Sequence, residues 1–87
     1  MEVNDTLKSR GDRYGSFEDN SRICQELILV IKSAPSFDKL DNAHLEAIHM
    51  IFHKISRMVC GDPDYADNAH DIAGYAMLLE TYLNAKN

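Results

Sequence analysis

Residues 42–59 read NAHLEAIHMIFHKISRMV, and within them Leu45, Ile48, Phe52, Ile55 and Val59 recur at alternating three- and four-residue steps. That is the period of an α-helix with one apolar stripe broad enough to face a bundle core. It is the strongest periodicity in the sequence. Asp41 stands where an N-cap belongs, Gly61 follows the last periodic residue, and Pro63 prevents continuation.

Upstream, Ser16 stands three residues before Asp19, an approximate capping box with Asp in place of Glu or Gln, ahead of the run ICQELILVIK at 23–32. Ile23, Leu27, Val30 and Ile31 keep helical spacing, while Ile28 and Leu29 widen the stripe. The β-branched content also suits a strand, but the spacing predicts a helix over about 17–33, ended by Ala34-Pro35-Ser36. Downstream, Asp64 reads as a cap with Asp67 in the first turn, and Ile72, Ala76, Leu79 and Leu83 carry a helix over about 66–85. Residues 1–15 are polar and punctuated by Gly11 and Gly15, which predicts a short helix near 5–10 followed by a turn. The expected architecture is all-α: an antiparallel bundle of three main helices plus a short N-terminal one, forming a single domain over 1–87.

A single core in 87 residues is small, so the bundle is expected to be completed by self-association, as a homodimer or tetramer. Fourteen acids oppose nine bases. Residues 61–87 hold five of those acids and one base, Lys86, and so carry four of the five net negative charges. No basic footprint suits a nucleic acid. No apolar run approaches the length of a membrane span and no basic-then-apolar signal opens the chain, so a cytoplasmic location is expected. Cys24 and Cys60 lie far apart in apolar helical context without a CxxC partner, which reads as two buried free thiols.

Glu46, His49, His53 and Arg57 stack along one face of the 42–59 helix, with Lys54 beside them. Asp67 and Asp71 share a face of the last helix, and if the two helices pack side by side these polar faces converge. Mg²⁺ favours carboxylate oxygen and completes its shell with substrate phosphates, so Glu46, Asp71 and Asp67 are candidate metal ligands. Lys54 and Arg57 are candidate phosphate partners, with Arg13 as a third. Tyr14 or Tyr75 offers a ring to stack on a base.

Plainer readings stand beside these. Asp64 and Asp67 suit a helix N-terminus; Lys54 and Arg57 also read as a solvated stripe. His49 and His53 have the i, i+4 spacing of a zinc pair but lack a closed ligand set. His44 reads as a surface residue and His70 as a capping or packing one. Met50, Met58 and Met77 read as core filler, and Gly74 as a point of close helix approach.

RGDRYGSF at 10–17, HKISRMVCGDPDYADNAHDIAGYAMLLE at 53–80 and the helix between them resemble a family of small, mostly phage- or prophage-encoded proteins without an assigned activity. More distantly, the layout resembles the all-α nucleoside-triphosphate pyrophosphohydrolases of the MazG and dimeric dUTPase group. Those use a Glu-x-x-Glu helix and a Glu-x-x-Asp helix to hold Mg²⁺. The resemblance implies a nucleotide-handling protein of the bacterial host cell, either a Mg²⁺-dependent nucleoside-triphosphate pyrophosphohydrolase with Glu46 and Asp71 as catalytic residues or a binder without turnover, with Glu46-x-x-His49 and Asn68-x-x-Asp71 in place of the two motifs and two of the four carboxylates replaced by neutral groups. The alternative is a non-catalytic helical homodimer whose acidic segment meets a host or phage protein partner.

Overall fold

The computed structural model describes the backbone of residues 3–87 and the side chains of residues 5–87. Four α-helices follow one another: α1 (Val3–Tyr14), α2 (Phe17–Ile31), α3 (Asn42–Cys60) and α4 (Ala66–Lys86), with a single 3₁₀ turn at Phe37–Lys39 between α2 and α3. Among the described residues there is no strand, so helical spacing outweighs the β-branched composition of 23–31. α1 is longer than its glycines suggest. It runs through Gly11, which lies on an open face, and stops only where Gly15 turns the backbone to φ 82° and bonds its N–H to the Gly11 carbonyl at 2.8 Å.

Two helix starts follow their sequence signals and one does not. The Ser16 hydroxyl accepts from the Asp19 N–H at 3.0 Å at the head of α2. Asp41 caps α3, accepting from the N–H groups of Ala43 and His44. His44 is no mere surface residue: its ring accepts from the Asp41 N–H and completes a capping box. α4, by contrast, starts at Tyr65 without a side-chain cap, and Asp64 instead donates its N–H to the Asp62 carboxylate. Pro63 sits in the turn that these two aspartates close.

α3 is the axis of the molecule, with α1, α2 and α4 all packing on it. Ser56 bonds to Asn20 of α2, and Lys54 pairs with Asp71 of α4. Residues two apart on a helix point about 200° from one another. α2 and α4 therefore flank α3 on opposite sides, giving one flat layer of three antiparallel helices with α1 laid across one end. The Cα radius of gyration is 15.0 Å, against about 12 Å for a compact domain of this length.

The interior is correspondingly thin and unusually polar. Among the described residues only Cys24 and Ala47 are buried apolar ones, whereas Lys54, Ser56 and Asn68 are buried polar ones. Both cysteines are free, Cys24 buried and Cys60 only half-buried. Met77 is not core filler: it is 66% exposed.

At the far end of the layer, Asp41 ties α4 to α3. Its second carboxylate oxygen accepts from the Tyr82 hydroxyl at 2.6 Å and from Lys86 Nζ at 3.2 Å. The Tyr82 bond, helped by the His44 N–H and by Lys86, holds the Asp41 carboxyl far below its usual range, and the same bond raises Tyr82. A lowered carboxyl stabilises the fold in full above its unfolded pKa of about 3.9 and loses that contribution as pH falls below it. We expect the melting temperature of wild type to fall from pH 5 to pH 2.5 more steeply than that of Asp41→Asn, measured by circular dichroism. Equal slopes would remove Asp41 from the acid response.

Candidate anion site at the α1–α3 junction

Two glycines bring the ends of α1 and α3 into backbone contact. A Cβ added to Gly15 would run into the Cys60 carbonyl, and one added to Gly61 would run into the Arg13 carbonyl. The Asp62 N–H seals the seam by donating to the Arg13 carbonyl at 2.9 Å. Asn20 clips the same turn from below, donating its amide to the carbonyls of Tyr14 (2.7 Å) and Ser16 (2.8 Å) while its oxygen accepts from Ser56. Ser56 is fully buried, so this polar staple is desolvated and geometrically specific.

The seam places the basic residues of α1 over the C-terminal end of α3. Tyr14 lies under two guanidinium groups, Arg57 at 4.5 Å and Arg10 at 5.2 Å from its ring centre. Arg13 lies 5.2 Å from the centre of Tyr65, whose ring meets Tyr14 edge-on at 6.0 Å. Arg10 and Tyr14 share one face of α1 because they are four residues apart. Among the described residues no carboxylate pairs with Arg10, Arg13 or Arg57 within 4.0 Å. Three cations thus gather on two aromatic rings in a protein whose net charge is negative.

A groove of about 560 Å³ opens beside this cluster, lined among others by Arg10, Tyr14, Phe17, Cys24, His53 and Arg57. Cys24 Sγ lies 3.5 Å from His53 Nδ1 at its floor, so His53 meets a thiol and not a metal partner. The Phe17 ring, 88% exposed, stands at the rim.

The polar faces of α3 and α4 do converge, but on an ion pair. Lys54 Nζ lies 3.2 Å from Asp71 Oδ2, with the lysine side chain 11% and the aspartate 42% exposed. Lys54 is therefore not a solvated stripe. Asp67 accepts from the Tyr65 hydroxyl at 3.0 Å, which raises the tyrosine's pKa. Glu46 is exposed. It stands eight residues from Lys54 along α3, about 12 Å along the axis from the level of Asp71. Within one chain Glu46, Asp67 and Asp71 do not gather, and no three His, Cys, Asp or Glu among the described residues form a group fit for a metal. These residues do not fit an Mg²⁺ cradle in a single subunit.

Asn68, one turn from Asp71 toward Tyr65, sits at about the level of Arg57 in this antiparallel register. It is 2% exposed and its amide nitrogen has no partner. A buried donor left unpaired costs about 1–3 kcal/mol, and it is an available donor in the layer beneath the arginines. Tyr75 and Asp71 line a separate shallow, largely apolar groove on α4, together with His70, Gly74, Met77 and Leu78. His70 is exposed there, and among the described residues no neighbouring helix comes within 4 Å of where a Gly74 Cβ would stand.

Of the residues expected from sequence, Tyr14, Arg13 and Arg57 meet at one place, and Lys54 pairs with Asp71 at another. Arg10 and Tyr65 were not expected. The signal for Arg10 is its i, i+4 spacing to Tyr14, legible only once α1 is extended through Gly11. For the ion pair, removing either partner has unequal consequences: Asp71→Asn strands a buried ammonium, whereas Lys54→Met leaves a half-exposed carboxylate. Urea unfolding should show Asp71→Asn the more destabilised, by about 1–3 kcal/mol below wild type once discounted for the exposed aspartate. The reverse order would mean that Lys54 keeps its solvent.

No helix among the described residues is long and apolar enough to cross a membrane. Comparison with curated proteins and with solved structures gave no match. One family model matches, over residues 2–83, and the chain belongs to that family, described as Domain of unknown function (DUF6378).

Proposed function

We propose that this protein binds a nucleotide, or a closely related phosphate-bearing aromatic ligand, in the groove at the α1–α3 junction. One observation carries the reading: Arg10, Arg13 and Arg57 assemble on Tyr14 and Tyr65, and no carboxylate among the described residues pairs with them. Guanidinium groups fork around phosphate oxygens, and their charge-assisted hydrogen bonds are about twice as strong as neutral ones. The tyrosine rings hold those groups pre-oriented through cation–π contact. As phosphates draw the guanidiniums off, a planar base can take the vacated face of Tyr14, with the exposed Phe17 ring at the rim. The groove volume falls within the range of small-ligand sites.

The reading goes with the sequence resemblance to MazG-like nucleotide proteins but stops at binding. Asp71 is committed to Lys54, so the proposal derives no hydrolytic step and no metal requirement from this chain alone. The site is also too small and the remaining surface too acidic for a polyanion, which keeps the ligand class to small phosphates.

Titration calorimetry with ATP, pyrophosphate and adenosine separates the parts. ATP and pyrophosphate are expected to bind in EDTA as well as in Mg²⁺, and adenosine much more weakly. Arg57→Gln should weaken ATP about 10–100-fold, the worth of one or two charged hydrogen bonds. Absence of binding by wild type across a nucleotide panel, or an unchanged affinity in Arg57→Gln, would overturn the proposal. Release of pyrophosphate from a nucleoside triphosphate by wild type would extend it to catalysis.

A further inference from the structure

Part of the strongest apolar periodicity in the sequence faces no helix of its own chain: Ile55 and Val59 are exposed, while Leu45, Ile48 and Phe52 are half-buried. Relative to Lys54, which points at α4, Ile55, Ile48 and Val59 lie at about 100°, 120° and 140° around α3, in the gap between the flanking helices. The opposite gap holds Glu46, His53 and Arg57 and is the side on which α1 lies, as the Arg57–Tyr14 contact shows. On α2, Ser21 and Gln25 line the groove with His53 and Arg57. Ile23 and Val30 lie about 180–200° from Ser21, so they flank the apolar gap. Val59 is 65%, Val30 67% and Ile55 36% exposed.

A helical domain is stable as at least two packed layers around a core, and this chain supplies one. Its accessible surface is 6411 Å², whereas a compact monomer of 9.9 kDa exposes about 5,200 Å². The surplus of roughly 1,200 Å² is comparable to the roughly 800 Å² that each partner of a standard stable interface buries. On α2 the apolar strip of Ile23 and Val30 is bordered by the exposed Asp19 and Glu26, about 20–40° around from Val30, so the surface that fits it is apolar at its centre, as the same strip of a second copy is.

We infer that a second copy of this chain covers the face formed by Ile23, Val30, Ile48, Ile55 and Val59. Two three-helix layers stack across it as a two-fold homodimer, in which each copy supplies the layer that the other lacks. The polar side, with its arginine–tyrosine cluster, stays outward on both copies. The inference is independent of what that cluster binds.

Light scattering coupled to size exclusion tests it at tens of micromolar protein. Wild type is expected at about 20 kDa, twice the chain mass of 9.9 kDa, with a melting temperature that rises with protein concentration. Val59→Glu and Val30→Glu should halve the mass, while Leu29→Glu, 64% exposed on the side of α2 about 180° around from Asn20, should leave it unchanged. A wild-type mass near 9.9 kDa would overturn the inference. So would an assembly that survives both valine substitutions, or one that only Leu29→Glu dissolves. If the valine variants do not fold, the wild-type mass and the concentration dependence of its melting decide the matter.

Discussion

The backbone contact between Gly15 and Gly61 is the constraint on which the functional end of the molecule depends. Only a hydrogen fits at either position, and the contact fixes where the last turn of α1 lands. Arg10, Arg13 and Tyr14 all lie in that turn or beside it. Held against the end of α3, they meet Arg57 and Tyr65; released, they would be three residues of an exposed surface helix. The Asn20–Ser56 staple acts in the same sense, because it satisfies buried polar groups only when the turn is seated. Energy spent on a close backbone approach is thereby turned into a clustering of like charge that no local preference would produce.

The rest of the layer distributes its chemistry in an unusual way. Polar side chains occupy the seams between helices, with Ser56 facing α2 and Lys54 facing α4, while one edge of the apolar stripe of α3, at Ile55 and Val59, is left exposed. In a finished bundle the order is normally reversed. The inversion makes sense if the chain is half of a core: the polar seams specify register within a subunit, and the apolar face is reserved for the contact between subunits. α4 fits this picture, since its apolar residues are spread around the helix and do not form one stripe.

Much of the fold was legible in the sequence, because helix spacing and capping residues are local signals. Ser16 and Asp41 cap as their positions suggest, and the three main helices end within two residues of their expected bounds. The misses have physical causes. Gly11 reads as punctuation in sequence, yet a glycine on an exposed helix face costs only about 1 kcal/mol, too little to stop α1. Asp64 looked like a cap, but the tight turn at Asp62–Pro63 uses its N–H, leaving Tyr65 to start α4. The Lys54–Asp71 pair was legible only as two polar faces that converge if the helices pack side by side; nothing local says that a lysine will be buried. The arginine cluster was hardest, since Arg10 and Arg57 are 47 positions apart in the chain and meet only through a glycine seam that sequence spacing does not reveal.

The most direct test of the account is therefore the affinity for pyrophosphate of Gly61→Ala, compared with wild type and with helix content followed in parallel. If the seam assembles the site, the substitution displaces α1 and lowers affinity at least tenfold while α2, α3 and α4 keep their helical signal. Wild-type affinity in Gly61→Ala would contradict the account, because the arginines would then bind phosphate without the contact that is held to gather them.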